Sequence, residues 1–396
     1  MPDDKKIFYI CGGRSFFSAN ISRKLYEVLK AFGEVAKVEM FCGGDYTGRS
    51  PVAAAGHPSA KSAARRGFFK DFLINTGSEL RDLRNDRKVF KALTARGEKP
   101  ACVIERSARF CWAGLRYAKK NRLPYVLEWK DHLLDYRCSL FKRWAANVEK
   151  RKVEQADYIL VESEVLKKQL TGENCPAEKI IVTYNAVNPQ EFAKNERQGV
   201  ETRRRIGIPE DALVVGYCGS YAFYHDSARM ILAAEKLAQR GLKQVKWLLV
   251  GSGRDYEQCR RMAAERGLLD SCVFMIPRVP KEEVPKYLAA FDVAILPGST
   301  DIICPIKVME YMAAETVVMV PDYECNREVV TPDTGILFTP FSETGIADAV
   351  EELLKHPERI RRLGQAARER VCRHFTWDKT YGQALSRILA EVDAKK

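Results

Sequence analysis

The stretch that decides the fold is DIICPIKVMEYMAAETVVMVPD, residues Asp301–Asp322. Its first part predicts a helix, because Pro305 suits a first turn, where its missing N–H leaves no intrahelical bond unmade. Lys307 and Glu310 are three residues apart and therefore share one face of that helix. The run VVMVP at 317–321 is short, apolar and β-branched, which indicates a buried strand. A helix thus begins after a loop, with a cation and an anion on one side.

Two interpretations of Lys307 and Glu310 stay open on this stretch alone. The free backbone N–H groups at a helix start suit a bound phosphate, to which a lysine adds a positive charge. Alternatively, the two side chains form a surface ion pair, which contributes only a few tenths of a kcal/mol.

Length and composition are those of a globular protein. The chain has 396 residues, of which 46% are hydrophobic, and this length predicts about two domains. No apolar run approaches the ~18–20 residues of a membrane span. The N-terminal region lacks the long apolar segment and the cleavage site of a signal peptide. We therefore expect a cytoplasmic protein.

The cysteines and histidines do not form a metal-binding pattern. Twelve cysteines are scattered without a C-x-x-C pair, and the closest two, Cys102 and Cys111, are nine residues apart. The five histidines form no H-E-x-x-H cluster. Most of these cysteines are expected to be small buried apolar residues. The sequence predicts neither a protein-bound metal nor a cofactor.

Positive charge is concentrated in one segment. The net charge is +13, and Ser59–Lys99 holds eleven Lys and Arg against five Asp and Glu, a net of +6. Within it, RRGFFKDFL at 65–73 combines basic residues with three phenylalanines and a leucine. An anionic membrane surface or an acidic substrate fits such a patch, and a solvated helix surface is the alternative. Nucleic acid is not expected, because no helix-turn-helix, zinc-finger or RRM signature is present.

Strands alternate with helices in two successive series. The first series of predicted strands is KIFYICGG, VEMFCGG, CVIER, YVLEW, DYILVES and KIIVTYNAV, and the second is LVVGYCGS, VKWLLVGSG, CVFMIP, DVAILPG, VVMVPD and GILFTP. Near-continuous apolar strands are expected where helices cover both faces of a parallel sheet. The pattern predicts an α/β fold with two Rossmann-like, doubly wound domains facing each other across a cleft. The domains are predicted at 1–195 and 205–375, joined by a polar, basic linker near Asn195–Arg204.

Three glycine-containing corners follow predicted strands. Gly12 and Gly13 follow the first strand, Gly219 and Ser220 follow the first strand of the second series, and GSG at 251–253 follows the next. Each corner lets backbone approach a ligand, or simply turn tightly at the end of a strand. None is a G-x-G-x-x-G or a Walker A motif.

Taken in order, these pieces resemble the GT-B glycosyltransferases, specifically glycosyltransferase family 4. The resemblance is carried by ADYILVESEVLKKQL, KIIVTYNAVNPQEF, VVGYCGS, WLLVGSG, VPKYLAAFDVAILP, CPIKVMEYMAAETVVM, GILFTP and RVCRHFTWDKTY. It covers nearly the whole chain and is strongest in the second half. It implies that the segment 376–396 is a closing helix that packs back on the first domain.

The resemblance answers the question raised by Lys307 and Glu310. It implies that Glu310 holds the ribose hydroxyls of a nucleotide-sugar donor, since one carboxylate accepts two charge-assisted hydrogen bonds. It also implies that the helix start, with Cys304, Pro305, Ile306 and Lys307, binds the diphosphate and stabilises the leaving group.

Other donor-side residues follow from the same resemblance. Val279 stands where, in the family, the backbone hydrogen-bonds the edge of the nucleotide base. Arg278 beside it is placed to contact phosphate or base. The family carries an Arg and a Lys after the corner at Gly219. Here Ser220 and His225 stand near those positions, so His225 is a candidate phosphate donor. Ile302 stands where the family has a first glutamate.

The acceptor side is implied to lie in the first domain. Glu128 is the candidate catalytic residue, with Asp131 and His132 behind it. Gly12 and Gly13 would let this domain close on the diphosphate or the sugar. A carboxylate that caps a helix, or a histidine satisfied by local hydrogen bonds, is the alternative for each side chain.

The activity implied is transfer of a sugar from a nucleotide sugar to a glycan or lipid-linked acceptor. The resemblance also implies that the anomeric configuration is retained and that no metal ion is required. A non-catalytic nucleotide-sugar-binding or partner-binding protein is the alternative, favoured by the altered Ile302, Ser220 and His225 positions. A nucleotide-sugar epimerase shares the fold and is a further enzymatic alternative.

Overall fold

The chain forms two α/β units. The computed structural model describes residues 3–12, 23–42, 68–130 and 139–395. One unit comprises Met1–Tyr184 together with Trp377–Lys396, and the other comprises Asn185–Thr376. Each contains a parallel sheet with flanking helices, which confirms the predicted α/β, doubly wound class.

The first unit is built on a parallel sheet. Its strands are β1 (Asp3–Cys11), β2 (Ala36–Cys42), β3 (Cys102–Arg106), β4 (Tyr125–Glu128), β5 (Tyr158–Val161) and β6 (Ile180–Val182). Among the described residues they lie in the order β2-β1-β3-β4-β5-β6. All residues of β4 and β5 are buried, as their apolar sequences YVLE and YILV predict.

Helices connect and flank these strands. They are α1 (Arg23–Val35), α2 (Phe68–Thr94), α3 (Ala113–Asn121), α4 (Lys142–Gln155) and α5 (Glu164–Gly172). Aromatic side chains fill the space between helices and sheet, with Phe8 against Phe41 at 5.0 Å between ring centroids and Tyr9 against Phe32 at 6.2 Å. None of the described helices combines the length and the apolar composition that a bilayer span requires.

The second unit is also built on a parallel sheet. Its strands are β7 (Leu213–Ser220), β8 (Val245–Ser252), β9 (Val273–Ile276), β10 (Val293–Ile295), β11 (Val317–Pro321) and β12 (Gly335–Phe338). The order in the described chain is β12-β11-β10-β7-β8-β9. Its core contains Tyr217, Trp247 and Leu249 from the central strands and Ile231 and Leu237 from a covering helix.

The helices of this unit alternate with its strands. They are α6 (Glu196–Ile206), α7 (Ala228–Gln239), α8 (Tyr256–Glu265), α9 (Val284–Leu288), α10 (Ile306–Ala313), α11 (Glu324–Arg327), α12 (Glu343–Lys355) and α13 (Pro357–His374). The opening stretch therefore forms a loop, the helix α10 and the strand β11, as its sequence predicts.

The C-terminal segment is part of the first unit. A π-helical turn, Asp378–Gly382, runs into the helix α14 (Gln383–Ala394). Tyr381 is fully buried, and its ring lies 6.1 Å from that of Phe32 in α1. Lys5 of β1 also forms an ion pair with Asp393 at 2.5 Å.

The predicted linker near Asn195–Arg204 is wrong, because this segment forms α6 inside the second unit. The Asn195 side chain caps the helix by accepting from the Gln198 N–H at 3.1 Å, and Gly207 ends it in the left-handed region at φ 84°. Gly199 packs so closely that an added Cβ would lie 2.3 Å from the Ala289 carbonyl oxygen. The polar sequence reflects a solvated helix face, and the units divide instead at Tyr184 and Asn185.

Both sheets have a switch point in their strand order. In the first unit it lies between β1 and β3, and in the second between β7 and β10. The connections that leave neighbouring strands there run to opposite sides, which opens a crevice at the carboxyl ends of the strands. Ligands of open α/β sheets bind in crevices of this kind.

Gly251→Ala should strongly destabilise the second unit. Gly251 has φ +147°, and an added Cβ would lie 1.8 Å from the Gly219 carbonyl oxygen. The ends of β7 and β8 would have to separate, so we expect a loss of about 3 kcal/mol or more in the free energy of unfolding, measured by urea denaturation. Gly267→Ala is the matched control, because its φ is +65° but its Cβ would meet open space. It should lose about 1 kcal/mol, and equal losses in the two variants would contradict the steric explanation.

Candidate functional site

A half-buried lysine occupies the switch point of the second unit. Lys307 lies in the first turn of α10 and reaches toward the end of β7. Its Nζ lies 3.1 Å from Nε2 of His225, donates to the Tyr217 hydroxyl at 3.2 Å, and lies 4.9 Å from the centre of the Tyr217 ring. Burial lowers the pKa of Lys307 to about 8, against the opposing effects of Cys218 and Glu310. The ammonium is therefore held in place before any ligand arrives.

His225 is the acceptor that holds this ammonium. Its Nδ1 lies 3.1 Å from the Gly298 carbonyl oxygen, which can only accept, so Nδ1 carries the proton and Nε2 is free to accept from Lys307. Burial and the neighbouring Lys307 lower the pKa of His225 to about 4. A neutral imidazole at neutral pH results. The predicted role of His225 as a direct phosphate donor does not match this arrangement, because both ring nitrogens are already engaged.

Two tyrosines fix the end of β7 around the lysine. The Tyr217 hydroxyl donates to the Ser220 carbonyl oxygen at 2.6 Å while it accepts from Lys307. The Tyr311 hydroxyl accepts from the Cys218 N–H at 3.0 Å and donates to the Cys218 carbonyl oxygen at 2.9 Å. Neither tyrosine was predicted from the sequence. A sequence reading could have singled them out, because both stand in predicted buried elements and a buried tyrosine needs a hydrogen-bond partner for its hydroxyl.

Gly219 is required by the position of the lysine. A Cβ at this residue would lie 2.5 Å from the Lys307 Nζ. A larger residue would push the amine out of its place while leaving the strand intact. The steric reason for a glycine at this corner is therefore the Lys307 amine.

The start of α10 presents its backbone to the same place. Pro305 precedes the helix, and no side chain caps its first N–H groups. The buried Cys304 holds the loop, because its carbonyl oxygen accepts from Asn185 Nδ2 at 2.9 Å. Ile306 and Lys307 open the helix, so their N–H groups and the lysine ammonium lie together. This combination is suited to an anion.

Glu310 lies one turn further along α10. It is half-buried and close enough to raise the pKa values of both Cys218 and Lys307. The order along the helix is therefore backbone N–H groups, then a cation, then a carboxylate. A ligand with an anionic part followed by hydroxyl groups fits this order.

Other predicted donor residues lie elsewhere in the unit. Arg278 and Val279 follow β9, where Arg278 is exposed and Val279 is half-buried. Within the described chain, neither makes a hydrogen bond to the Lys307 cluster. Arg229, the nearest arginine in sequence to His225, is held by Asp226 at 2.9 Å and by Glu343 at 2.7 Å.

In the first unit, Glu128 lies at the carboxyl end of β4 and is only 1% exposed. Its Oε2 accepts from the Tyr9 hydroxyl at 2.5 Å, and its Oε1 lies 3.2 Å from Arg106 Nη1 as an ion pair without hydrogen-bond geometry. Burial by itself lowers the pKa of Arg106, but the negative charge of Glu128 outweighs burial, and the pKa of Arg106 is raised overall. The predicted Asp131, His132 and Gly13 lie outside the described residues.

A second ion-pair group lies at the end of β5. Glu162 pairs with Lys24 at 2.6 Å and with Lys130 at 3.5 Å. Burial alone would raise the pKa of Glu162, but the two lysines lower it to about 2. Burial lowers the pKa of Lys24 to about 8. Sequence reasoning missed these residues, although Arg106 and Glu162 stand at or just after strand ends like the predicted Glu128.

Two further buried carboxylates of this unit cap a helix. Glu105 accepts from the Gly114 N–H at 2.8 Å and from the Tyr125 hydroxyl at 2.7 Å, and burial raises its pKa to about 7. Asp86 accepts from the N–H groups of Trp112 and Ala113. Both serve the start of α3. Gly12 lies beside this group, where a Cβ would come within 2.4 Å of Cys111 Sγ.

Family models match both units. Residues 198–370 match "Glycosyl transferases group 1", and residues 19–186 match "Glycosyl transferase 4-like domain". The chain belongs to the group 1, family 4-like glycosyltransferases of the GT-B class.

Curated relatives named as glycosyltransferases or a kanosaminyltransferase match this chain at low identity. A D-inositol 3-phosphate glycosyltransferase of Stackebrandtia nassauensis is 28% identical over 53% of this chain and 50% of its own length. An alpha-D-kanosaminyltransferase of Streptomyces kanamyceticus is 26% identical over 57% of each chain. An amylovoran biosynthesis glycosyltransferase of Erwinia amylovora is 25% identical over 78% of this chain and 75% of its own. The chain spans about half the length of the first two relatives.

Solved structures share the fold over almost the whole chain. Anabaena HepE in complex with UDP has a TM-score of 0.70 at 15% identity, covering 98% of this chain and 100% of that one. Sucrose-phosphate synthase of Thermosynechococcus elongatus has a TM-score of 0.70 at 20% identity, covering 99% and 100%. These similarities confirm the predicted GT-B fold.

Removing one partner of the Lys24–Glu162 pair should destabilise the first unit. Glu162→Leu leaves the buried Lys24 ammonium without its nearest anion, and we expect a loss of about 3–5 kcal/mol in the free energy of unfolding at neutral pH. The double variant Lys24→Met/Glu162→Leu should recover most of that loss, because no buried charge is left alone. Urea denaturation measures both. A double variant as unstable as the single one would contradict an electrostatic origin.

Proposed function

We propose that the protein is a glycosyltransferase that moves a sugar from a nucleotide diphosphate donor to an acceptor. The observation that carries this proposal is the Lys307 ammonium, held by His225 and Tyr217 beside the uncapped start of α10. A cation and helix N–H groups at a sheet switch point are suited to a diphosphate. Membership of the group 1 glycosyltransferases supports the same reaction.

In this proposal, the first turn of α10 stabilises the leaving group. As the bond between sugar and diphosphate breaks, negative charge grows on the diphosphate oxygens. Lys307 and the N–H groups of Ile306 and Lys307 face that charge from fixed positions, so little reorganisation is needed during the reaction. The half-buried setting strengthens the attraction relative to water.

We assign Glu310 to the ribose of the nucleotide. It follows Lys307 by three residues in α10, so the two side chains share one face of the helix. A carboxylate accepts two hydroxyl hydrogen bonds at once. UDP is the nucleotide to test first, because HepE, a structure with the same fold, holds UDP.

The finer chemistry is also a proposal. We infer transfer with retention of anomeric configuration and without a metal ion or cofactor, as the family resemblance implies. Lys307 and backbone N–H groups then neutralise the negative charge of the leaving diphosphate in place of a metal ion. Product analysis by NMR of the anomeric proton, after a reaction in the presence of a chelator, distinguishes these outcomes.

The acceptor we propose is a lipid-linked or cell-surface glycan precursor, used at the cytoplasmic side of a membrane. The Erwinia amylovora relative, named for amylovoran biosynthesis, supports a glycan acceptor. We place the acceptor against the first unit, near Glu128. Because Tyr9 and Arg106 already engage the Glu128 carboxylate, its proposed part is to position Arg106 at the end of β3.

A second candidate is a protein that binds a nucleotide sugar without turnover. It is favoured by the engagement of His225 with Lys307 and Gly298, and by the two carboxylates that hold Arg229. The Arg and Lys of the family are replaced here by Ser220 and a neutral His225, and Arg229 is already paired with two carboxylates, so these three residues offer no unengaged cation to a phosphate. Release of UDP from a UDP-sugar in the presence of acceptor extracts separates the candidates.

Nucleotide binding should depend on Lys307 and Glu310. Titration calorimetry with UDP, GDP, ADP and CDP should show one preferred nucleotide for the wild type. We expect Lys307→Met to weaken it about 10–100-fold through loss of a charge-assisted hydrogen bond, and Glu310→Ala by a similar factor. Lys246→Met is the matched control, because this exposed lysine of β8 donates to the Ser271 carbonyl oxygen outside the cluster. No binding of any nucleotide by the folded wild type would contradict the proposal.

The affinity for the nucleotide should fall at alkaline pH. Lys307 is protonated below its pKa of about 8 and attracts the diphosphate in that form. The attraction is therefore complete near neutral pH and is lost as the pH rises through and above about 8, slightly later in the complex because the bound anion raises this pKa. We expect about a tenfold weaker affinity at about pH 9.5 than at about pH 7 in calorimetry. Lys307→Met should show no such fall, and an equal fall in that variant would assign the effect to another group.

A further inference from the structure

The outer face of α2 carries a stripe of exposed side chains. Successive members of this stripe are spaced by three, four or seven residues, so they share one face of the helix. The stripe consists of Phe69, Leu73, Leu80, Arg84, Arg87 and Lys91. It is apolar over its first part and cationic over its second, and it runs for about 33 Å along the helix.

The apolar part of the stripe is unusually exposed. Phe69 is 73% exposed, Leu73 is 55% exposed and Leu80 is 52% exposed. Packing against the first unit does not explain these side chains, because α2 packs there through a different face that includes the buried Val89 and Leu93. Large apolar side chains grouped on a surface mark a place of interaction.

The positive and negative side chains of α2 lie on different faces of the helix. Its exposed cations are Lys70, Arg81, Arg84, Arg87, Lys88 and Lys91, and among its described side chains none of the exposed ones is acidic. Glu79 and Asp86 are buried, and Asp82 is held by Arg109 at 2.6 Å on the inner side. The outer face thus presents positive charge and apolar surface together.

The start of α4 extends the apolar part. Ser139 Oγ donates to Glu79 of α2 at 2.7 Å, and the Leu140 N–H donates to the Thr76 hydroxyl at 3.2 Å. This contact places Leu140, which is 65% exposed, beside the apolar half of the stripe. Trp144 is also exposed one turn later. The patch therefore spans α2 and the segment 139–144, which hydrogen bonds from Ser139 and Leu140 tie to α2.

We propose that this face, the stripe of α2 together with Leu140 and Trp144, docks on an anionic membrane surface. Apolar side chains enter the boundary between headgroups and acyl chains, while Arg84, Arg87 and Lys91 meet lipid phosphates. The charge of the face is complementary to anionic lipid. Three of the five apolar side chains of this face are leucines, which offer no flat surface for base stacking, so nucleic acid fits this patch less well than lipid does. The inference does not depend on the transferase activity.

Flotation of the full-length protein with unilamellar vesicles tests the proposal. The vesicles contain phosphatidylcholine alone or with about one third phosphatidylglycerol. We expect binding to the anionic vesicles at about 0.05 M salt and clear weakening at about 0.5 M, because screening acts on exposed charges. Vesicles of phosphatidylcholine alone should bind at least about tenfold less protein.

Two variants separate the two halves of the stripe. Arg84→Glu/Arg87→Glu should reduce binding to anionic vesicles about tenfold or more, because it places like charge against the lipid. Phe69→Ser/Leu73→Ser/Leu80→Ser should reduce binding to anionic vesicles about tenfold. The binding that remains should be purely electrostatic, so high salt should remove it completely. All five side chains are exposed or at the surface of the helix, so melting temperatures should stay close to that of the wild type.

Matched controls lie on the second unit. Arg361→Glu/Arg362→Glu in α13 changes the net charge by the same amount at two exposed arginines, and Phe341→Asn removes an exposed aromatic side chain. Both should bind vesicles like the wild type. Nucleotide binding, measured in parallel, should be unchanged in every variant, so that a failure of the membrane proposal is distinguishable from a failure of the proposed activity.

Three results would overturn the proposal. One is a wild type that ignores anionic vesicles at low salt. Another is an equal loss of binding in the α13 control, which would assign the effect to net charge alone. The third is binding of duplex DNA or polyglutamate that Arg84→Glu/Arg87→Glu abolishes while vesicle binding is unchanged, which would make the stripe a site for another polyanion.

Discussion

An ammonium group that is largely withdrawn from water must find acceptors, and at Lys307 this requirement organises the whole end of the second sheet. Tyr217 and His225 supply the acceptors, and each is itself fixed by a backbone carbonyl, from Ser220 and Gly298 respectively. If the Ser220 or Gly298 carbonyl moved, Tyr217 or His225 would lose its fixed orientation, and Lys307 would then lose an acceptor. The corner after β7 and the loop before α10 are therefore parts of one hydrogen-bonded structure.

The lowered pKa values of Lys307 and His225 have the same physical origin. Burial disfavours the charged form of each group, and the two would repel each other if both were protonated. The stable state is therefore a charged lysine donating to a neutral histidine. An incoming diphosphate meets one positive charge whose direction is already set, which is the form of preorganisation that stabilises a developing anion.

The first unit handles buried charge differently. Glu162 lies between two lysines, whereas Glu128 shares its carboxylate between Tyr9 and Arg106. Both groups lie at carboxyl ends of parallel strands, where the backbone opens toward a ligand crevice. Glu105 and Asp86, by contrast, use their oxygens on the N–H groups of α3 and are explained by the fold alone.

The amino-acid sequence by itself determined the α/β class, the two sheets, the helix start at Pro305 and the glycine corner at Gly219, because apolar runs, turn residues and helical spacing are local properties. Helical spacing also placed Lys307 and Glu310 on one face of a helix start, and the family resemblance pointed to Ser220 and His225 after the corner at Gly219. The sequence misread 195–204 as a linker, because a solvated helix and a linker share a polar composition. Only the tertiary structure decided that His225 accepts from Lys307, that Tyr217 and Tyr311 brace the strand, that Lys24 pairs with Glu162, and that Arg106 pairs with Glu128. Those partners are tens of residues apart in the chain, and hydrogen bonds between them depend on sheet order and burial, which no local pattern encodes.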